Sequence, residues 1–401
     1  MIRRALDKMR SHRAPASPAP AGSPDPAPFF PVALMHLPMA PVLAPIVMLD
    51  ADAPDERSMH AARRVIDAWH AAMQSAQAPA PSMWGAIEEQ HAEFFAAVRK
   101  RDVAAVQKTL ARLFHTHLIW GLGRVHPLTP VHIAQGQPEG VQIQVTDALV
   151  SLAEATGAAR ITCIEQQGVP AHLAALRVDV DALLDAVIER ARLTLDMPAA
   201  GGNYGCTIAG RQVSIDSLVH AYTPYRLRQL GVLPRERIVE IGGGYGCLAY
   251  VVRRNGFEDY TIVDLPWVNL LQGYVLAMTL PPDDVSLFGE PERAVKVRPF
   301  WDFASLGNRS VDVVINTDSL PEIGQETGRR YIADIARVIR HYFLSINQEA
   351  MVEYPGVGHQ LHVNGMVAEE PRLQLLHRQR YWMRQGYVEE VFAPAGGAGA
   401  R

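Results

Sequence analysis

The stretch that most constrains the fold lies at residues 238–246, where an apolar run meets a glycine-rich turn. It reads Ile-Val-Glu-Ile-Gly-Gly-Gly-Tyr-Gly, and a second apolar run further along the chain, 261–264, also ends in an acid. A strand, a glycine turn, a helix and a second strand in this order form part of a parallel sheet that binds nucleotide-like ligands at its carboxyl edge. The sequence therefore predicts an α/β fold with a ligand site beside these glycines.

The positions of the glycines distinguish between two cofactors. A dinucleotide site has a third small residue two positions after Tyr245, where this chain has Cys247. Instead, Glu240 is followed by glycines at positions 242, 244 and 246. The pattern acid-x-Gly-x-Gly-x-Gly is typical of S-adenosylmethionine sites, because the sulfonium end of that ligand carries no phosphate. We therefore expect an S-adenosylmethionine-dependent methyltransferase.

The elements predicted after residue 236 alternate between strands and helices. Strands are predicted at 237–241, 260–264, 294–298, 311–316, 341–347 and 387–392, and helices at 246–255, 267–279, 327–340 and 371–385. This alternation favours a doubly wound parallel sheet of the Rossmann-like methyltransferase type. Helical periodicity in the earlier part of the chain predicts a helical N-terminal region.

The chain divides into four predicted segments. Residues 1–50 are rich in proline and alanine, and we expect them to be largely disordered. Residues 51–127 form the helical region, and residues 128–230 connect it to the last domain and contain part of a lid over the cofactor. Residues 231–395 form the S-adenosylmethionine-binding methyltransferase domain.

The composition is that of an ordinary globular protein without a basic field. Hydrophobic residues make up 48% and charged residues 20% of the chain, and the formal net charge is -4. This charge gives no support to a nucleic-acid partner. The three cysteines lack metal-ligand spacing, and prolines interrupt the apolar run 31–49, so we expect neither a metal site nor a membrane segment. The cysteine usage favours the cytoplasm.

The predicted cofactor site follows from the strand ends. Glu240 would accept hydrogen bonds near the amino-acid end of the cofactor, and Asp264 would take both ribose hydroxyls. Trp301 and Asp302, after the third strand, would supply an aromatic wall and an acceptor for adenine, although aromatic residues there are often core. The full predicted set is Glu240, Gly242, Gly243, Gly244, Gly246, Asp264, Leu265, Trp301, Asp302 and Asn316.

Methyl transfer to a hydroxyl also needs a base that takes the proton. Asp318 and Glu322 follow the fourth strand, whose end would meet the acceptor, and His359 and His362 lie in a loop after the fifth strand. Glu322 and the two histidines have structural alternatives. Glu322 could close a capping box with Ser319, and the histidines could be loop residues without a role in catalysis. These four residues are the candidate bases.

Several of these segments resemble a bacterial family described as sugar O-methyltransferases. The matching segments are 239–246, 262–266, 270–274, 316–322 and 343–347, and the resemblance spans roughly residues 200–392. It implies a Rossmann-like fold and O-methylation of a sugar. By this resemblance the cofactor would be bound by Glu240, Gly242, Gly244, Gly246 and Asp264. The acceptor side would be lined by Ser319, Glu322 and Asn347.

The sequence thus predicts O-methylation of a sugar, or of another hydroxyl on a biosynthetic intermediate. The partner would be a small-molecule or glycosylated acceptor, with no nucleic acid and no membrane, and the chain would form a homodimer. Two alternatives stay open. One is an N- or C-methyltransferase that acts on a peptide or natural-product scaffold. The other is a non-catalytic module that binds the cofactor and holds a partner through its helical region.

Overall fold

A computed structural model describes residues 44–75, 84, 87–124, 126–161, 179–350, 353–354 and 358–396. Within these ranges, no helix combines the length and the apolarity that a bilayer crossing requires. Most of the predicted disordered segment, residues 1–50, lies outside the described ranges, and its described end contributes a short strand to a small sheet.

Thirteen strands form three sheets in the described part of the chain. Their bounds are β1 Ile46–Met48, β2 Tyr204–Ile208, β3 Arg211–Val213, β4 Arg237–Ile241, β5 Asp259–Asp264, β6 Val285–Ser286, β7 Val295–Pro299, β8 Val311–Thr317, β9 Ile339–Gln348, β10 Glu353–Tyr354, β11 Gly358–His359, β12 Leu373–Arg380 and β13 Tyr387–Pro394. Two sheets are small, with the orders β1-β2-β3 and β10-β11.

The main sheet has eight strands in the order β12-β13-β9-β8-β4-β5-β7-β6. Its strands run parallel except β13, which is antiparallel to both of its neighbours. From β4 the chain moves to β5 on one side, and it later returns to β8 on the other side. The strand order therefore reverses between β4 and β8, and this arrangement confirms the predicted doubly wound, Rossmann-like α/β sheet.

One predicted element of this domain is wrong. A helix is predicted at 371–385, but residues Leu373–Arg380 form the edge strand β12. The backbone of β12 pairs with β13 along its length, with a bulge between Leu375 and His377. Pairing with a strand that lies close in sequence decides the conformation of this segment.

The helices of the described residues precede and alternate with the strands. Their bounds are α1 Glu56–Gln74, α2 Ile87–Gln90, α3 Ala92–Arg99, α4 Val103–Leu110, α5 Thr129–Ala134, α6 Glu139–Thr156, α7 Val180–Ala191, α8 Ile215–Gln229, α9 Cys247–Arg254, α10 Pro266–Thr279, α11 Asp302–Ser305, α12 Gln325–Val338 and α13 Val363–Ala368. The predicted helical N-terminal region therefore corresponds to α1 to α4, with short 3₁₀ turns after them.

Polar residues at helix starts explain where several of these helices begin. The carboxylate of Asp55 accepts from the backbone N–H of Ser58 at 2.8 Å, and that of Asp102 accepts from Ala105 at 3.0 Å. Ser214 and Ser217 form a reciprocal capping box at the start of α8. These bonds satisfy backbone donors that the first turn of a helix leaves unpaired.

Alternate residues of the strands face two hydrophobic layers. In β4, Ile238 belongs to one layer, and Val239 and Ile241 belong to the other. The first layer also contains residues of α8, α9, α10 and the N-terminal helices, and the second contains residues of α11, α12 and α13. The sheet is thus covered by helices on both faces, as a mainly parallel sheet requires.

The N-terminal helices are docked on the sheet domain through α1. The Arg57 guanidinium donates to the carbonyls of Ala277 at 3.1 Å and Leu280 at 3.0 Å, at the end of α10. Arg64 pairs with Glu290 at 2.6 Å. Because carbonyl groups at a helix end lack partners within the helix, the Arg57 bonds join the two regions where α10 ends.

Candidate functional site

A cavity of about 210 Å³ opens at the carboxyl ends of β4, β5 and β8. Its floor is the glycine turn after β4, and its walls come from residues 121–124, from the start of α8, from the turn after β8 and from the loop before β13. This is the position where the strand order reverses. Ligands of doubly wound sheets bind at this edge and at this reversal.

The glycine turn presents its backbone to this cavity, because its residues carry no side chains. Neighbouring groups also leave no room for side chains at Gly242 and Gly244. Gly242 has φ 74° and Gly244 has φ 53°, a region that L-residues with a Cβ avoid. A Cβ on Gly242 would overlap the Ser319 side chain, and one on Gly244 would overlap the carbonyl oxygen of Leu122. Gly243 also lines the cavity, whereas Gly246 caps α9 with φ 90° and does not line it.

Asp264 lies at the end of β5 and holds the glycine turn. Its Oδ2 accepts from the N–H of Gly243 at 2.9 Å and from Gln272 Nε2 at 2.7 Å, and its Oδ1 accepts from the N–H of Leu265 at 2.8 Å. Burial raises the pKa of Asp264 to about 6, against the opposing effect of these bonds. The carboxyl is therefore mainly ionised at neutral pH, and about one of its roughly four acceptor positions stays open to a ligand.

Glu240 lies beneath the glycine turn and is almost completely buried. Its side chain is 2% exposed and accepts a hydrogen bond of 2.9 Å from the Tyr260 hydroxyl. Burial raises the pKa of Glu240 to about 8. A carboxyl with this pKa is mainly protonated at neutral pH and can donate as well as accept a hydrogen bond.

Asn316 supports the turn from outside the cavity. Its Nδ2 donates to the carbonyl of Ile241 at 2.9 Å and to Ser319 Oγ at 2.6 Å, and Ser319 Oγ donates to the same carbonyl at 2.8 Å. These bonds fix the end of β4 against the end of β8. The Ser319 side chain makes no capping bond, so the capping box considered for Glu322 does not form.

Asp318 has a strained backbone and a carboxylate held by two donors. Its φ is 63°, in the left-handed region, and its N–H donates to Ile346 O and Asn347 Oδ1, each at 3.1 Å. Oδ2 accepts from Arg384 at 2.9 Å and from the Tyr387 hydroxyl at 2.6 Å. Oδ1 is buried without a hydrogen bond to any described residue. Burial raises the pKa of Asp318, and Arg384 opposes that effect.

Glu322 faces the same part of the cavity as Asp318. Its Oε2 accepts from the Trp84 indole N–H at 3.1 Å. Burial and the nearby charge of Asp318 raise the pKa of Glu322 to about 8. The glutamic acid therefore carries its proton at neutral pH and is a poor proton acceptor there.

Of the remaining predicted residues that the structure describes, most lie away from the cavity. His362 precedes α13, is exposed, and lies 3.3 Å from Glu349, while the His359 side chain is outside the described part of the chain. Trp301 and Asp302 do not line the cavity, whereas the neighbouring Phe300 does. Leu265 lines it, and Asn347 does not.

Several residues that line the cavity are absent from the predicted set. They come from segments far from the glycine turn in sequence, and they are Trp84, Arg124, Asp216, His220, Tyr381, Arg384 and Tyr387. The predicted lid in 128–230 was the one signal that pointed toward Asp216 and His220, because α8 falls within it. No local pattern marks the others, which reach the site through packing of the chain.

Residues 121–124 form a strap across the glycine turn. The N–H of Tyr245 donates to the carbonyl of Leu122 at 3.3 Å, and the N–H of Arg124 donates to Asp216 Oδ1 at 2.9 Å. A Cβ on Gly123 would lie 2.7 Å from Asp216 Oδ2 and 2.8 Å from the Tyr245 ring. The helical N-terminal region therefore closes one side of the site.

No protein-family model matches the sequence, and a search of curated proteins returns no match. Solved structures do match part of it. They include the magnesium protoporphyrin IX methyltransferase of Synechocystis PCC 6803 with bound S-adenosylhomocysteine, at 16% identity and a TM-score of 0.34, covering 45% of this chain and 82% of that one.

A second matching structure is the 1,6-didemethyltoxoflavin-N1-methyltransferase of Burkholderia thailandensis, at 16% identity and a TM-score of 0.31, covering 44% of this chain and 78% of that one. A third is the [4+2]-cyclase SpnF, at 12% identity and a TM-score of 0.33, covering 44% of this chain and 80% of that one. These proteins differ in reaction and substrate, and similarity at this level assigns neither to the present chain.

Proposed function

We propose that this protein is an S-adenosylmethionine-dependent methyltransferase that methylates a hydroxyl of a sugar or of another biosynthetic intermediate. The observation that carries the proposal is the glycine turn 242–244, held by Asp264 at the point where the strand order reverses and open to a cavity. The residues of the cavity divide into a cofactor side and an acceptor side, and each side supports the proposal separately.

The cofactor side suits a ligand with an amino-acid end, a ribose and a base. The turn exposes backbone at Gly242 and Gly244, where no Cβ intervenes. Asp264 keeps acceptor capacity for a ribose hydroxyl, and Leu265 and Phe300 supply apolar walls for a base. When bound, S-adenosylmethionine would supply an activated methyl group on a sulfonium centre.

The acceptor side is rich in groups that recognise hydroxyls. Asp318 and Glu322 lie beside Arg384 and Tyr387, and all four line the cavity. The buried Asp318 Oδ1 lacks a donor among the described residues, and a hydroxyl of the acceptor would supply one. This polar lining, together with the family resemblance of the sequence, supports O-methylation of a sugar. The function of these residues is to align the acceptor and exclude water.

The alternatives make different demands on the same cavity. A neutral amine acceptor needs little help from a base, so an N-methyltransferase would retain its rate when the residue that serves as base is replaced. A non-catalytic module would bind the cofactor without turnover. The converging acids and arginine of the acceptor side favour catalysis on a polar acceptor over both alternatives.

Calorimetric titration with S-adenosylmethionine and S-adenosylhomocysteine tests the proposal. Wild-type protein should bind both, and Asp264→Asn should bind at least about tenfold more weakly. In either orientation of the amide, its NH2 group would face the N–H of Leu265 or the donors of Gly243 and Gln272. The matched control is Asp185→Asn, at an exposed position of α7. A folded wild-type protein that binds neither ligand would refute the proposal.

Transfer of a labelled methyl group then separates the candidate reactions. Methyl glycosides, short peptides and aromatic amines serve as probes, and the proposal expects label on the glycosides with the label attached to oxygen. Label on nitrogen would favour the N-methyltransferase. Tight cofactor binding without transfer to any probe class would favour the binding module.

We also propose a cytoplasmic location and a homodimer. Cys206 and Cys247 are buried free thiols, which supports a reducing compartment. Sedimentation of the full chain at several concentrations tests the dimer, and a monomer at every concentration would refute it.

A further inference from the structure

We infer that His220 is the catalytic base that takes the proton of the acceptor hydroxyl, an inference that rests on the proposed methyltransferase function. His220 lies in α8 and lines the cavity, although the sequence does not place it among the candidate bases. With His220 as the base, the acceptor is a hydroxyl that must lose a proton, and His220 is the residue that removes this proton.

The position of His220 in α8 directs it to the site. Asp216 and Val219 line the same cavity, and residues three or four positions apart share one face of a helix. Asp216 is tied to the glycine turn through the Tyr245 hydroxyl at 3.0 Å. The α8 face that carries His220 is therefore held over the cavity by a bond to the cofactor side.

Three of the four candidate bases predicted from the sequence already have partners, although Asp318 keeps Oδ1 without one, and the side chain of His359 lies outside the described residues. Asp318 accepts from Arg384 and Tyr387, Glu322 accepts from Trp84, and His362 lies outside the cavity beside Glu349. His220 makes no hydrogen bond with any residue that the structure describes. No described residue therefore competes with an acceptor for its ring nitrogens.

The surroundings of His220 keep its ring neutral at physiological pH. Burial lowers the pKa of His220, the nearby Asp216 opposes this effect, and the nearby Arg124 adds to it. Tyr381 and Arg384 are the other titratable side chains that reach the cavity from the loop before β13. A neutral imidazole is the form that accepts a proton.

The reaction balances with His220 as the proton acceptor. The acceptor oxygen forms a bond to the transferred methyl carbon while its O–H proton moves to a ring nitrogen of His220. The C–S bond of the donor breaks, and its electron pair stays on sulfur, which becomes uncharged. The imidazolium then releases the proton to water, so neither an oxidant nor a metal is needed.

Carbethoxylation of the full-length protein by diethyl pyrocarbonate tests the base directly, because the reagent modifies neutral, accessible imidazoles. The modification rate of His220, mapped by mass spectrometry, should rise with pH to a plateau with an apparent pKa below 6.5. The exposed His60 of α1 is the internal reference. His220 should stay reactive when S-adenosylhomocysteine is bound. An unreactive ring, an apparent pKa above 7, or complete protection by this ligand would overturn the inference.

The variant His220→Gln tests the same point in catalysis, with His60→Gln as its matched control. With any probe glycoside that wild-type protein methylates, His220→Gln should lower kcat at least about a hundredfold. Its affinity for S-adenosylhomocysteine should change less than about twofold, which shows that the fold and the cofactor side are intact. A His220→Gln rate within threefold of wild type would overturn the inference.

The two proposals fail in different experiments. If wild-type protein binds neither cofactor form, the methyltransferase proposal fails, and the assignment of His220 as the base fails as well. If wild-type protein binds and transfers methyl groups but His220→Gln does so equally well, only the base assignment fails. The carbethoxylation result bears on the base before any acceptor is found.

Discussion

The Tyr245 hydroxyl donates a hydrogen bond of 3.0 Å to Asp216 Oδ2 and so joins the glycine turn to the first turn of α8. Both residues are buried, with exposures of 1% each. The other oxygen of Asp216 accepts from the N–H of Arg124. One carboxylate therefore links three segments that enclose the site, namely the glycine turn, the strap 121–124 and α8.

The first prediction concerns this bond. Tyr245→Phe keeps the ring, which packs edge-on against Phe114 at 5.0 Å, and removes only the hydroxyl. Asp216 then loses a donor in a buried position, so we expect the free energy of unfolding to fall by about 1–3 kcal/mol. Urea denaturation measures the change. Tyr225→Phe, at a more exposed tyrosine of α8, is the control, and equal effects of the two variants would contradict the prediction.

The second prediction concerns the contact between the strap and the turn. Gly244→Ala places a methyl group on the carbonyl oxygen of Leu122, in addition to the cost of the left-handed backbone. The strap must then move away from the turn. We expect loss of S-adenosylhomocysteine binding by calorimetry and a free energy of unfolding lowered by more than the roughly 1–2 kcal/mol of the backbone term.

Gly136→Ala provides the matched control for this variant. Gly136 has φ 75°, and a Cβ there would meet no atom within 4 Å. It therefore measures the backbone cost without the overlap. If both variants lose the same stability and both bind the ligand normally, the position of the strap over the turn does not require that residue 244 lack a Cβ.

The sequence was sufficient to predict those parts of the site that lie close together along the chain. Glu240 and Asp264 end two neighbouring strands, and the glycines between them permit the positive φ angles that the turn adopts. Local chemistry therefore specified the floor of the cavity. The periodicity of the later segments was also enough to predict the doubly wound sheet.

The rest depends on packing between distant segments. Arg384, in the loop before β13, and Tyr387, the first residue of β13, reach Asp318 across 66 and 69 positions of the chain. Trp84 reaches Glu322 across 238 positions. No spacing rule relates such pairs. The edge strand β12 was missed for a similar reason. Its conformation is decided by pairing with β13, whereas its local sequence pattern does not indicate a strand.

The third prediction is a dependence of stability on pH that arises from Glu240. Its pKa is raised from 4.5 to about 8, so the folded protein holds a proton that the unfolded chain releases above pH 4.5. The stabilisation is therefore complete below about pH 4.5 and is lost as the pH rises through about 8. Within this window Glu240 alone lowers the free energy of unfolding by up to about 1.4 kcal/mol per pH unit.

Glu240→Gln tests this dependence, because glutamine resembles the protonated acid and does not titrate. Between pH 5.5 and 7.5, urea denaturation should show a shallower decline of stability in the variant than in the wild type. Glu139→Gln, at an exposed residue at the start of α6, is the control and should leave the slope unchanged. Parallel curves for Glu240→Gln and wild type would show that Glu240 is ionised in the folded protein.

The fourth prediction couples Gly242 to Ser319. A Cβ on Gly242 would overlap both Cβ and Oγ of Ser319, so Gly242→Ala should be strongly destabilising in the wild-type background. Ser319→Gly removes the overlapping atoms, at the cost of the bonds to Ile241 and Asn316. The double variant should therefore be less destabilised than the sum of the single variants, with a coupling of about 0.5–3 kcal/mol from denaturation curves.

Gly210→Ala, whose Cβ would meet no atom within 4 Å, is the control and should combine additively with Ser319→Gly. Additivity of the Gly242 pair as well would mean that the ends of β4 and β8 are not in the contact that fixes the glycine turn.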